Sequence, residues 1–325
     1  MQRRTFLRSA SALLAAACCL ASTSLHAAEA GKAKHILFFS KSSGFEHSVI
    51  SYKKEQPSLV EKALLELGPK HNWEFTFSKD GSLFTPAYLA KFDAFFFYTT
   101  GNLCEPGTDG QPPMSEAGKQ AFLDAIKGGK GFIGSHSAAD TFHTANESKK
   151  GPDRYANHGA QADPYVRMIG GEFIKHGKQQ IATMKVIDFK FPGLDKVAAG
   201  FDNRDGFDRM EEWYSLKDFS DDLHVLLVQE SEKMEGIEYQ RPPYPATWAR
   251  MHGQGRVFYT SMGHRDEMWS DPTFLDILTG GIAWAVREVD ADITPNLKTA
   301  APGALTNPPY PGDPKPAAPK DAKPK

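Results

Sequence analysis

Cysteine is scarce: Cys18 and Cys19 lie near the N-terminus and Cys104 is the one that remains beyond them. An intramolecular disulfide is thereby excluded for the body of the protein, and the fold has to stand on its core. Long apolar runs are missing too, and the one near the N-terminus is too short and wrongly flanked to span a bilayer. No G-x-G-x-x-G follows the first strand, where Ser42-Ser43-Gly44 is no dinucleotide cradle, and no Walker sequence occurs. Both absences argue against a bound nucleotide phosphate. H-E-x-x-H and other closely spaced ligand pairs are absent as well, so a metal needs ligands that only the fold brings together. Charge of one sign is also lacking. Lys+Arg 38 and Asp+Glu 40 become 35 and 39 once Arg3, Arg4, Arg8 and Glu29 are set aside, a charge of about -4. Basic residues are scattered rather than striped, which speaks against a nucleic-acid partner.

What is present begins with residues 1–30, where a basic start, a short apolar centre and small residues at the end form an export signal. Arg3-Arg4-Thr5-Phe6-Leu7 resembles the twin-arginine signal of bacteria. A periplasmic or secreted protein without a membrane span is expected, with cleavage after Ala27 or Ala30. Residues 31–300 read as a single α/β domain, ample for a core of its own. From 301 to 325 the chain is rich in Pro, Ala and Lys, a flexible tail clamped on the body near Pro308-Pro309-Tyr310. A homo-oligomer is compatible with this composition.

Lys34 to Lys41 holds four apolar residues in a row, Ile36 to Phe39, as a strand buried on both faces does. Leu59, Val60, Ala63, Leu64 and Leu67 then have helical spacing, with Gly68 as the stop. Strands follow at His71–Lys79 and Phe92–Thr100, a helix at Ser115–Ile126 and a fourth strand at Gly131–Gly134. This succession predicts a mostly parallel sheet whose ligands lie beyond the carboxyl ends of the strands. Residues Thr141 to Gly170 read as an irregular lid or wall. Strand character returns at Ala182–Phe189, Arg209–Leu216, His224–Glu230, Tyr244–Ala249 and Gly255–Gly263, before a helix at Thr273–Val286.

Histidine carries the chemistry. His47, His136, His176 and His264 each stand where an apolar run gives way to Gly and small polar residues. Gly131 to His136 and Gly255 to His264 repeat one pattern, a strand core that ends in Gly or Ser and then His. His136, Glu212 and His264 are the candidate acid-base residues, Glu212 because burial would bring a carboxyl toward neutrality. Trp213, Tyr214 and Trp248 are candidate sugar platforms, and His47, Asp140, His176 and Arg265 candidate substrate contacts. His47, His136 and His264 are also candidate ligands for a divalent, zinc-like metal, since imidazole is the commonest protein ligand of that class. Glu211 reads as a solvated neighbour of a core tryptophan, and Cys104 as an unreactive thiol.

The motifs Gly44-Phe45-x-His47, Gly131-x-x-Gly134-x-His136, Gly170-Gly171-x-Phe173-x-x-His176, Glu212-x-Tyr214, Pro245-x-x-Trp248 and Gly263-His264 together resemble the ThuA-like family, named from trehalose utilisation. The resemblance implies a flavodoxin-like three-layer sandwich related to class I glutamine amidotransferases. It sets His136 at the turn that holds the amidotransferase cysteine, which removes amidotransferase chemistry. It also implies a carbohydrate substrate and a hydrolase or lyase of sugar catabolism, with 3-keto-glycosides as one substrate class. A base such as His136 or Glu212 would take the C2 proton, an acid such as His264 would protonate the leaving oxygen, and Arg265 or a metal would steady the enolate. A non-catalytic sugar-binding protein and a metal-dependent glycoside or ester hydrolase are the alternatives.

Overall fold

Strands that are apolar at every position must be covered on both faces. The computed structural model meets that demand with a sheet lying between two layers of helices. It describes residues 31–53, 56–145, 151–198 and 205–312; the export signal and the end of the tail lie outside them. The strands are β1 (Lys34–Phe39), β2 (Trp73–Ser78), β3 (Ala94–Phe97), β4 (Gly131–Ser135), β5 (Glu172–His176), β6 (Gln180–Val186), β7 (Gly206–Glu211), β8 (Tyr214–Lys217), β9 (His224–Glu230), β10 (Tyr244–His252) and β11 (Gly255–Thr260). The helices are α1 (Leu59–His71), α2 (Pro86–Leu89), α3 (Glu116–Lys127), α4 (Pro164–Ile169), α5 (Leu194–Ala198), α6 (Pro272–Ala285) and α7 (Leu297–Ala300).

Nine strands form one sheet in the order β2-β1-β3-β4-β11-β10-β9-β6-β7, while β5 and β8 pair separately. From β2 across to β11 every pairing is parallel. From β11 to β7 every pairing is antiparallel. The mostly parallel sheet predicted from the pattern therefore holds for one half only. Its other half turns at once through Gly253-Gln254, and so tight a connection can only join antiparallel neighbours.

Alternation along β1 divides the core. Ile36 and Phe38 pack with Val60 and Leu64 of α1 and with Phe274 and Ile277 of α6. Leu37 and Phe39 join Phe122 and Ile126 of α3 and Tyr165 of α4 on the opposite face. Each such side chain, fully buried, contributes about 1.5–3 kcal/mol. Helix α1 begins with a capping box, Ser58 accepting from the Glu61 amide while the Glu61 side chain accepts from the Ser58 amide. It does not stop at Gly68. Asn72 ends it in the left-handed region with φ 58°, and Gly68 is small because a Cβ there would meet Trp73 O at 2.6 Å.

Two further segments differ from their sequence reading. The irregular wall at 141–170 contains α4, and β5 forms a strand despite its charged residues, because Glu172 faces Lys217 of β8 with their side chains 3.4 Å apart. The tail is fixed where it begins. Ala301 and Ala304 are core residues, and Arg241, itself buried, donates to Ala304 O at 2.6 Å. Truncation after Ala300 is expected to leave that guanidinium short of a partner and to cost about 1.5–3 kcal/mol. Thermal unfolding followed by circular dichroism checks this, and an unchanged midpoint would restore the reading of a free tail.

Candidate functional site

Three of the four polar side chains at the centre of the site stand just beyond the carboxyl ends of parallel strands. His47 lies in the loop after β1, His136 directly after β4 and His264 in the loop after β11. The fourth, Glu212, separates β7 from β8. Their ligating atoms all lie within 4.8 Å of one another. The imidazole centroids form a near-regular triangle, 5.0 Å from His47 to His136, 5.4 Å from His47 to His264 and 5.1 Å from His136 to His264. Glu212 Oε2 is 3.6 Å from Nε2 of both His136 and His264, and its Oε1 is 3.3 Å from His176 Nδ1.

The backbone around the cluster is shaped for it. His136 takes φ 45°, a left-handed conformation that costs a non-glycine residue roughly 1–2 kcal/mol, and this elbow turns the imidazole inward. Its Nδ1 donates to Ser261 O at 3.0 Å, which leaves the lone pair on Nε2 directed at Glu212 and the other rings. Gly263, at φ 115°, admits no side chain, because a Cβ would meet Ser135 Oγ at 2.6 Å. Glu211 holds the loop that follows. Its Oε1 accepts from the amides of Gly263 and His264 at 3.0 Å each and of Arg265 at 3.3 Å, and its Oε2 accepts from the Glu212 amide at 2.8 Å. The solvated Glu211 of the sequence reading is thus corrected: it is fully buried, and it positions both Glu212 and His264.

Burial, and then the neighbouring imidazoles, push His47 well below its ordinary value. The same causes bring His264 to about 4. Burial alone would raise Glu212, but His136, His264 and His176 outweigh it and hold the carboxyl below its usual range. At neutral pH the hollow therefore contains uncharged His47 and His264 beside an ionised Glu212. An acid role for His264 does not suit that state, since an uncharged imidazole is too weak an acid to protonate a leaving oxygen.

His47 Nδ1 and His136 Nε2 are buried without a hydrogen-bond partner, a state that costs each about 1–3 kcal/mol. Two orphaned nitrogens, a third imidazole and a carboxylate at this spacing fit a divalent cation with nitrogen and oxygen ligands. The Ser261 carbonyl on His136 Nδ1 is the outer partner that fixes a ligating ring.

Of the other residues picked out in the sequence, His176 lies at the rim, 43% exposed, with Nδ1 also 3.0 Å from Gly177 O. Asp140 does not join the cluster; it pairs with His143 at 2.5 Å, and His143 Nδ1 is 3.2 Å from Glu172. Tyr214 backs His136 at 4.1 Å between ring centroids but is buried. Trp213 and Trp248 are fully buried and give their indole N–H to Gln180 O and Ile169 O, so neither serves as a sugar platform. Arg265 is engaged by Glu267 and Gln179 and faces the rim. Burial, with Glu116 nearby, pushes the Cys104 thiol up to about 11, which keeps it protonated and inert.

The geometry defines an α/β protein with a three-histidine, one-glutamate centre at the ends of its strands. From residue 35 to residue 285 the chain matches the ThuA family, described as trehalose utilisation, and it belongs to that family. A ThuA-like protein from Bacteroides uniformis is 18% identical with a TM-score of 0.55, over 78% of this chain and 92% of its own. One from Parabacteroides merdae is 17% identical with a TM-score of 0.48, over 86% and 98%. No curated protein matches the chain in sequence. Among the described residues no helix is long and apolar enough to cross a membrane.

Two outcomes are expected. Glu211→Gln turns an NH2 group toward backbone amides, which should lower stability by about 1–3 kcal/mol and weaken binding of zinc or manganese, measured by thermal unfolding and calorimetry. Because the folded pKa of His264 is about 4 against an ordinary 6.5, the unfolded chain binds more protons between those values. Stability should therefore fall as pH drops from 6.5 toward 4. His264→Gln should make that slope shallower, with His47 carrying a further part of it, and an unaltered slope would remove His264 as a contributor.

Proposed function

We propose that the protein is a carbohydrate-active enzyme of sugar catabolism that cleaves 3-keto-glycosides by acid-base elimination. What carries this reading is the convergence of His47, His136, His264 and Glu212 in one hollow within a family named for trehalose utilisation. A keto group at C3 acidifies the hydrogen on C2. His176, whose Nδ1 sits between Glu212 and Gly177 O, presents Nε2 as the base that takes this proton, and the carboxylate steadies the imidazolium that forms. The electron pair from the C2–H bond becomes the C1–C2 double bond as the C1–O bond breaks. The departing oxygen receives a proton from the His143 and Asp140 pair. A divalent cation held by His47, His136, His264 and Glu212 would supply charge stabilisation to the substrate's carbonyl oxygen.

The parallel half of the sheet is assigned to a flavodoxin-like, class I glutamine amidotransferase-like core. Its order β2-β1-β3-β4-β11 supports this, since that is the 2-1-3-4-5 arrangement whose ligands bind beyond the strand ends. Arg3-Arg4-Thr5-Phe6-Leu7 supports work in the periplasm or outside the cell. The fit of the cluster to a cation favours one second reading, metal-assisted hydrolysis of an ordinary glycoside.

A panel of oxidised and ordinary disaccharides, offered to protein of measured metal content and read by mass spectrometry, separates the two. Elimination yields an unsaturated keto sugar and hydrolysis an intact one. His176→Gln and Glu212→Gln should each lower turnover of the keto-glycoside by about 10²- to 10⁴-fold with the fold intact. Wild-type rates in both would end the proposal.

A further inference from the structure

Beside the histidine hollow lies a cavity of about 660 Å³, of a size that takes small-molecule ligands. Its walls are aromatic: Phe45, Tyr155, Phe173 and Tyr310, with Asp140 and Arg154 among them. The two spaces share their boundary. Phe45 is 5.1 Å from His47 between ring centroids, and Phe173 is 4.1 Å from Tyr214, the ring that backs His136. Phe45 is 69% exposed, an apolar ring left facing solvent on a short loop beside the reacting centre. Tyr310 arrives from the far end of the chain and meets Tyr155 edge-on at 5.2 Å. Asn307 donates to Tyr155 O, and Asn157 to Leu305 O, which hold the segment against this wall.

Charge in the cavity argues for a neutral occupant. Lys175 is compensated by Glu238 at 3.5 Å, the Arg154 guanidinium lies over Phe173 with its Nε bound to Ile174 O, and the Asp140 carboxylate opposes an anion. A sugar ring satisfies both features, since its apolar face covers an aromatic ring while its hydroxyls meet the carboxylate and guanidinium.

We infer that this cavity is the leaving-group subsite, that it takes the second ring of a glycoside, and that Tyr310 sets the preference for two-ring over one-ring substrates. This rests on the keto-glycoside reading above and adds to it a place for the aglycone. The placement also sets the departing oxygen beside His143 and Asp140, which line the same cavity.

The test compares a 3-keto-disaccharide with the methyl 3-keto-glycoside of the same sugar, on wild type, Tyr310→Ala and Phe45→Ala. Rates are read by mass spectrometry and folding by circular dichroism. The ratio of kcat/KM for the two-ring over the one-ring substrate should fall about tenfold in Tyr310→Ala, the loss of one aromatic contact. Phe45→Ala repeats the measurement from the opposite wall if Tyr310→Ala disturbs the C-terminal segment. Turnover of both substrates with ratios unchanged in both variants overturns the subsite and leaves the proposed activity standing. A wild-type protein that turns over neither substrate overturns both.

Discussion

One buried carboxylate organises the site. Glu211 ends β7 at the far edge of the sheet, yet through a single oxygen it gathers three successive amides of the loop after β11. That contact crosses from the antiparallel half of the sheet to the parallel half. It ties Glu212 and His264 to one reference, although the strands they follow, β7 and β11, are not neighbours. Burial pushes the Glu211 carboxyl up against the pull of His136 and of the amides it accepts from, and here those hydrogen bonds set a geometry rather than adding to a core that is already apolar.

Around that anchor the cluster is electrostatically poised. Burial and then the neighbouring rings disfavour protonation of His47 and His264, and the same burial leaves their lone pairs without solvent. Uncharged His47 and His264 beside an ionised Glu212 suit a cation. The strained φ of His136 belongs to the same arrangement, since a relaxed residue at the end of β4 would continue the strand direction and aim its side chain elsewhere.

Much of this was legible in the residues. Ile36 to Phe39 and Phe95 to Phe97 announce strands covered on both faces, and the Gly-then-His endings at His136 and His264 announce strand ends that carry polar groups. What was hidden is what depends on neighbours distant in sequence. Glu211 and Glu212 are adjacent and chemically alike, and only the fold decides that one binds amides while the other enters the hollow. The place of the aromatic residues is hidden for the same reason: Trp213 and Trp248 look like platforms in the sequence, but indole buries a large apolar area and the core holds both. The rings left at the cavity, Phe45 and Tyr310, sit in segments whose local composition reads as loop and tail. Antiparallel pairing in half the sheet is likewise hidden, because it depends on the tight turn before β11 closing a hairpin.

The insertion of β11 beside β4 has a kinetic consequence. His136 and its carbonyl partner Ser261 are 125 positions apart, and the strands that carry them pair only after the chain between has been brought round. Long-range parallel pairing is slow to nucleate because loop-closure entropy precedes the contacts that repay it. The histidine triangle is complete only once β11 lies beside β4. A ligand that needs all three rings together binds the finished site more tightly than the open chain, so it raises global stability by an amount that grows with its concentration relative to Kd.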